Sequence, residues 1–126
     1  MLIPHLHFSG NCAEAIALYE KAFDTKSDVL FHSGDGKGSV GHAEMRIHDI
    51  RVMLNDRFGN KDKSTDCAVA MVVTFESSVE LLACYEIMKS GGIVIDPPEK
   101  LSYSELGLQF MDRFGVQWGF MVEESL

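Results

Sequence analysis

A pattern that occurs twice confines a chain more than any single motif does, because each copy must fold into the same kind of unit. Here the pattern is Leu108–Val122, LQFMDRFGVQWGFMV. It alternates apolar and polar residues, breaks at Phe114-Gly115-Val116 and resumes as a Trp/Phe/Met/Val run, which predicts two antiparallel strands joined by a tight turn. An offset of 66 residues carries it onto His42–Asp56, HAEMRIHDIRVMLND, with Gly115-Val116 on Asp49-Ile50 and Met111 on Met45. The same offset brings Ser77-Ser78-Val79-Glu80 onto Asn11-Cys12-Ala13-Glu14, Leu82 onto Ile16, and Tyr85-Glu86 onto Tyr19-Glu20. Both four-residue matches read as capping boxes, a polar residue ahead of a helix with Glu three positions on. Turn, cap and helix face agreeing at one offset predict an internal duplication.

Taken in order, Ile3–Phe8 reads as a short strand, broken by Ser9-Gly10 ahead of the cap at Asn11. Cys12–Phe23 repeats apolar residues at Ile16, Tyr19 and Phe23 and predicts an amphipathic helix. Ser27–Phe31 is a weaker strand, and the hairpin His42–Asp56 closes the first half. After a polar linker at Gly59–Asp66, Cys67–Phe75 is a strand whose apolar residues fall on both faces, which predicts cover on both. Val79–Ser90 is the second amphipathic helix, stopped by Gly91-Gly92. Ile93–Ile95 is a short strand ended by Pro97-Pro98, and Glu99–Gly107 is a polar loop carrying Tyr103. Each half thus reads β-α-β-β-β, with module 1 at residues 1–58 and module 2 at 67–126, in one α+β domain covering 1–126.

A chain of 126 residues is long enough to bury a core without staples. The formal charge of −8 comes with no basic cluster, which excludes a phosphate-backbone partner, so no nucleic acid is expected. No apolar run reaches the length of a membrane span and no secretory leader is present at the start, so a cytoplasmic protein without a membrane association is expected. The three cysteines, Cys12, Cys67 and Cys84, form no C-x-x-C pattern and read as reduced core thiols. The apolar run Val69–Val73 and the seven methionines exceed what two thin helices cover, which predicts a homodimer.

The glycine-rich segment Gly34-Asp35-Gly36-Lys37-Gly38 is followed by a strand rather than a helix, so it lacks the free N–H groups of a phosphate cradle and reads as a hairpin loop. His5 and His7 share one face of the first strand but have no further ligand tied to them by sequence, and read as structural histidines. His42, Glu44 and Arg46 share a strand face opposite Ala43, Met45 and Ile47. If Asp49-Ile50 is the turn pair, Arg46 faces Met53, Glu44 faces Asn55 and His42 faces Arg57 across the hairpin. Two readings of this patch stand side by side: a wall for a small polar ligand, or a solvated sheet face laced with weak ion pairs. At the 66-residue offset the patch maps to Leu108, Phe110 and Asp112, a more apolar wall, and one polar with one apolar wall suits a small-molecule pocket. The candidate ligand-binding residues are accordingly His42, Glu44, Arg46, Asn55, Tyr103 and Phe110, with no catalytic residue assigned.

IPHLHFSGNCAEAIALYEKAF at the start, VGHAEMRI in the middle and the ending FMDRFGVQWGFMV resemble the PhnB-like branch of the glyoxalase/bleomycin-resistance/dioxygenase (vicinal oxygen chelate) superfamily, a branch often labelled demethylubiquinone methyltransferase-like. The resemblance covers nearly the whole chain. It implies paired βαβββ modules curled into an open barrel around a cavity, commonly in a homodimer. It also implies a place for a divalent metal, held in the superfamily's enzymes by His and Glu on the first and last strands of each module. On this chain those places fall at Pro4 or His5, Met53, Ala70 or Met71, and Gly119. Only His5 among them offers a ligand, so no metal and no cofactor are expected, and the absence of a glycine loop opening a helix speaks against a methyltransferase. The function implied is binding of a small polar or amphipathic molecule in the cavity. The alternative is a metal-dependent lyase or dioxygenase-type enzyme, with Glu44 or His42 as acid or base, and a third reading is a structural homodimer subunit.

Overall fold

The computed structural model describes residues 1–34, 38–57 and 69–123. The linker Gly59–Asp66, Cys67, and Asp35, Gly36 and Lys37 of the glycine-rich segment lie outside the described residues. The chain forms two compact units, Met1–Asp62 and Lys63–Leu126, and each is a βαβββ module in an α+β fold.

In the first unit, β1 (His5–Phe8), β2 (Ser27–His32), β3 (Val40–Ile47) and β4 (Ile50–Asp56) form a sheet in the order β1-β4-β3-β2, with β1 parallel to β4 and the other pairs antiparallel. Helix α1 (Cys12–Phe23) lies on one face. Its buried Cys12, Ala15, Ile16, Tyr19 and Phe23 recur at helical spacing, and they meet strand residues that recur every second position: Leu6 and Phe8, Ala43, Met45 and Ile47, Val52 and Leu54. The predicted helix is met at both ends, but Asn11 makes no side-chain cap bond. The loop ahead of α1 is held by Asp56 instead. Its Oδ1 accepts the N–H groups of Gly10 and Cys12 at 2.8 and 3.0 Å, and its Oδ2 that of Val40 at 2.8 Å. One carboxyl group thereby joins the end of β4, the start of α1 and the start of β3.

The β3–β4 turn corrects the predicted register. Ile47 pairs with Ile50, so the turn residues are His48 and Asp49, at φ 49° and 68°, and not Asp49-Ile50. A two-residue turn with both φ values positive excludes a β-branched residue such as Ile50, whereas Asp tolerates the left-handed region. Glu44 consequently faces Met53, not Asn55, and Arg46 faces Arg51, not Met53.

In the second unit, β5 (Met71–Phe75), β6 (Ile93–Leu101), β7 (Ser104–Met111) and β8 (Gln117–Val122) form a sheet in the order β5-β8-β7-β6, with α2 (Ser78–Met88) packed on β5 and β8. Leu81, Cys84, Tyr85 and Met88 face Val73, Phe75, Leu108, Phe110, Trp118, Phe120 and Val122 in its core. Ser77 does cap its helix, its Oγ accepting from Glu80 N–H at 3.2 Å. Strand β6 is three times the length expected and runs through Pro97-Pro98. It is an edge strand, where a missing N–H faces outward at no cost to the ladder, and register shifts on both sides of the prolines absorb the irregularity. The predicted loop Glu99–Gly107 shrinks to a turn at Ser102-Tyr103. Strand β5 is covered on one face only, with Val73 and Phe75 buried and Val72 64% exposed.

The DRFGVQW segment is a structural clasp. Asp112 is 2% exposed; its Oδ1 accepts from Phe114 and Val116 N–H at 2.9 and 3.0 Å, and its Oδ2 from Trp118 Nε1 at 2.9 Å. The chain reverses there through Gly115 at φ 90°.

Candidate functional site

Alternation places a polar set on the open face of the first sheet, opposite α1. Strand β1 supplies His5 and His7, β3 His42 and Glu44, and β4 Arg51, Met53 and Asn55; parallel pairing sets His5 beside Met53 and His7 beside Asn55. Glu44 is the hub. Arg51 Nε donates to its Oε1 and Arg51 Nη2 to its Oε2 at 2.8 Å, a fork geometry that fixes the carboxylate plane. His42 Nε2 lies 3.1 Å from Oε2, and the side chains of His42 and Glu44 are only 18% and 23% exposed. The Arg51 fork first, then the His42 hydrogen bond, lower the Glu44 carboxyl to about 2.

The imidazoles are ordered by this frame. Asn55 Oδ1 accepts from His7 Nδ1 at 2.7 Å, so Nε2 is the His7 ring nitrogen left to engage a ligand. His42 donates from Nε2 to Glu44, so Nδ1 is the nitrogen left to engage a ligand. His5 lies between them, with ring centroids 4.4 Å from His7 and 6.0 Å from His42. Its pKa is lowered, by burial first and then by His7, His42 and Arg57, so the ring is held toward its neutral form. Phe31 of β2 sets an aromatic ring 6.4 Å from His42 at the margin. Such a face offers imidazole ring nitrogens for hydrogen bonding, while Glu44, ionised and clamped, orients its neighbours and is a poor proton acceptor.

Of the residues singled out from sequence, His42, Glu44 and Asn55 share this face. Arg46 is exposed and turns away, Nη1 donating to the Asp49 carbonyl at 2.9 Å. Arg51, His5 and His7 enter the cluster although the first was overlooked and the other two were read as structural. The correct turn would have revealed Arg51, since it then lies diagonally across from Glu44. Tyr103, 53% exposed at the β6–β7 turn, lines two hollows of the second unit, of about 380 and 220 Å³. Phe110 is 1% exposed and sits in the core, 5.3 Å from the Tyr85 ring and 5.1 Å from Phe120. It therefore stands on the face packed against α2 and not on the open face of the sheet. The pairings explain why: Glu44 faces Met53 as Gln109 faces Gly119, so the counterpart of Glu44 is Gln109 and not Phe110. The β7–β8 connection, 112–116, is longer than the two-residue β3–β4 turn and slides the repeat by one position, and one position reverses every side chain.

The places that the sequence resemblance implies for a metal can be tested on these pairings. His5 faces Met53, and Val72, rather than Ala70 or Met71, faces Gly119. An imidazole, a thioether, an isopropyl group and no side chain do not make a set for a borderline divalent ion, which takes imidazole, thiolate and carboxylate donors. Among the described residues no group of three or more His, Cys, Asp or Glu is placed to hold a metal. Cys12 and Cys84 are buried free thiols, both pushed up to about 12 by burial, and Asp56 adds to the effect on Cys12.

A family model described as the Glyoxalase/Bleomycin resistance protein/Dioxygenase superfamily matches residues 3–120. Among solved structures, protein PA1353 from Pseudomonas aeruginosa superposes with a TM-score of 0.86 at 23% identity, covering 99% of this chain and 98% of that one. The PhnB protein from Bacillus cereus gives 0.82 at 23% identity, covering 97% and 98%. The fosfomycin resistance protein FosX from Listeria monocytogenes gives 0.68 at 11% identity, covering 98% and 90%. At these identities the likeness is one of fold. No curated protein matches the sequence.

Proposed function

We propose a function from one premise: this chain belongs to the glyoxalase/bleomycin resistance protein/dioxygenase superfamily. On our reading it binds a small polar or amphipathic molecule, with the open face of the first sheet as the recognition surface and the two modules acting as one domain. The observation that carries this is the ordering of the Glu44 cluster. A solvated sheet face holds long, mobile side chains in weak pairs. Here one carboxylate is gripped by a guanidinium fork and an imidazole, and the neighbouring His7 ring is held by Asn55. That is a preorganised polar array, suited to a ligand bearing several hydrogen-bonding groups.

The reading as a metal-dependent lyase or dioxygenase receives no support from the donors at the paired positions, and Glu44 at about 2 is unsuited to the base role. We further propose a homodimer, since Leu30 and Phe31 on edge strand β2 and Val72, Ile93 and Val94 in the second unit stand exposed. A cytoplasmic location is in keeping with two buried free thiols, and no helix among the described residues is long and apolar enough to cross a membrane. Native mass spectrometry of freshly purified protein tests the binding reading. A small-molecule adduct is expected on the wild type and is reduced in Glu44→Ala. Equal retention in the variant, or protein that emerges empty from every preparation, refutes it.

A further inference from the structure

The second unit carries a hollow of about 220 Å³ on the open face of its sheet, the face turned from α2. Cross-strand pairing sets Val72 of β5 beside Gly119 of β8, Gln109 of β7 beside Gly119, and Gly107 beside Met121, so two glycines lie in the floor among apolar side chains. At Gly119 neither backbone nor packing calls for glycine. A Cβ built there would meet Val72 at 3.6 Å and Gln109 at 3.8 Å, ordinary contact distances, and its φ lies outside the left-handed region. Glycine inside a strand is destabilising relative to alanine, because it loses more backbone freedom on folding. What its missing side chain leaves is room in the floor of the hollow.

The wall of the hollow is built by an irregularity. Asp96 and Glu99 are three positions apart and would point to opposite faces of a regular strand. The register shifts around Pro97-Pro98 instead set Asp96 opposite Gln109 and Glu99 opposite Gly107, two partners on one face. Both carboxylates therefore line the hollow, together with Tyr103, and among the described residues no Lys, Arg or His does. Neither is engaged by a hydrogen bond or ion pair among the described residues. Nearby on β8, Gln117 donates to Gln109 while its own Oε1 is buried without a partner, a further acceptor on the same face. A bulge that brings these two carboxylates over a glycine floor makes a hollow that, among the described residues, offers acceptors and apolar contacts but no cation.

We propose that this hollow binds a small free organic cation, an alkylammonium whose charged head lies between Asp96 and Glu99 against Tyr103 and whose apolar body rests over Gly119, with Val72 and Met121 at its sides. The volume holds about seven waters at ~30 Å³ each, which limits the body to a short chain. Opposite charge gives the preference for ammonium over carboxylate, and the Tyr103 ring adds a face that attracts a cation. Gly119 is then a specificity position, setting how long a body fits.

The test is an amide NMR titration with n-pentylammonium, pentan-1-ol and pentanoate, following Gly107, Gln109 and Gly119. Pentylammonium is expected to move these signals with saturation, pentan-1-ol more weakly, and pentanoate not at all. The double variant Asp96→Asn/Glu99→Gln is expected to weaken pentylammonium about tenfold and leave pentan-1-ol unchanged. Gly119→Val is expected to abolish both while the thermal midpoint holds or rises. Equal binding of pentanoate and pentylammonium, or wild-type binding by Gly119→Val, overturns the proposal. Should Gly119→Val fail to fold, the carboxamide pair decides alone, and unchanged ammonium affinity there overturns it. Glu44 lies in the other unit, so retention of pentylammonium binding in Glu44→Ala separates this hollow from the first-sheet face.

Discussion

Replacing Asp112 by Ala removes the acceptor of two loop amides and of the Trp118 indole N–H while leaving all three donors in place. The indole belongs to a fully buried side chain, and Asp112 itself is 2% exposed, so water reaches these donors poorly. Each buried donor left without a partner costs about 1–3 kcal/mol, and because the loop amides can relax outward the sum is about 3–5 kcal/mol rather than the full triple. At about 4 °C per kcal/mol for a chain of this size, the thermal midpoint should fall by about 12–20 °C. Asp112→Asn divides the effect: its oxygen can still serve the loop amides, but its amide nitrogen meets the indole N–H donor to donor, for a loss of about 1–3 kcal/mol. Thermal melts followed by far-ultraviolet circular dichroism and Trp118 fluorescence measure both. A drop under about 4 °C in Asp112→Ala would show that the clasp is ornamental and that the turn is held by its glycine alone.

Glu44, whose folded pKa is lowered from 4.5 to about 2, contributes stability that is full above pH 4.5 and is lost as pH falls toward 2; Glu44→Gln should flatten the acid limb of urea-midpoint measurements across that window. His5, lowered from 6.5, should destabilise the fold progressively as pH falls below 6.5, and its ring protons should titrate by NMR with a midpoint under that value. Cys12 and Cys84 keep their protons to about 12 when folded but release them near 9 when unfolded, so stability should decline as pH rises from 9 toward 12, and a thiol-specific reagent at pH 8 should label both only on unfolding. Gln117→Met removes a buried oxygen with no partner among the described residues but also the Nε2 bond to Gln109, so the two effects offset and urea denaturation should show a change within about 1 kcal/mol.

The duplicated β-α-β-β-β order, the α1 boundaries and the sorting of His42 and Glu44 from Ala43 and Met45 were legible in the sequence, because each follows from a period of 3.6 or 2 acting within one element. The superfamily likeness was legible for a related reason: SGNCAEA and DRFGVQW are local segments, and the structure shows each tied by one carboxyl group, Asp56 or Asp112. The residue types at the implied metal places were legible in the same way, and the pairings of His5 with Met53 and Val72 with Gly119 show which of them stand side by side. What local pattern cannot carry is register. Whether Glu44 meets Arg51 or Asn55 depends on which residues accept positive φ in a turn, and whether its counterpart is Phe110 or Gln109 depends on how long a loop is. Each turns on a shift of one or two residues, and in a sheet such a shift re-pairs every side chain or reverses its face. Likewise Pro97-Pro98 ends a strand by composition but not at a sheet edge, and edge position is a property of the assembled sheet. Tertiary pairing alone therefore decided that three histidines and Arg51 gather around Glu44, and that Asp96 and Glu99 stand on one side of the same strand.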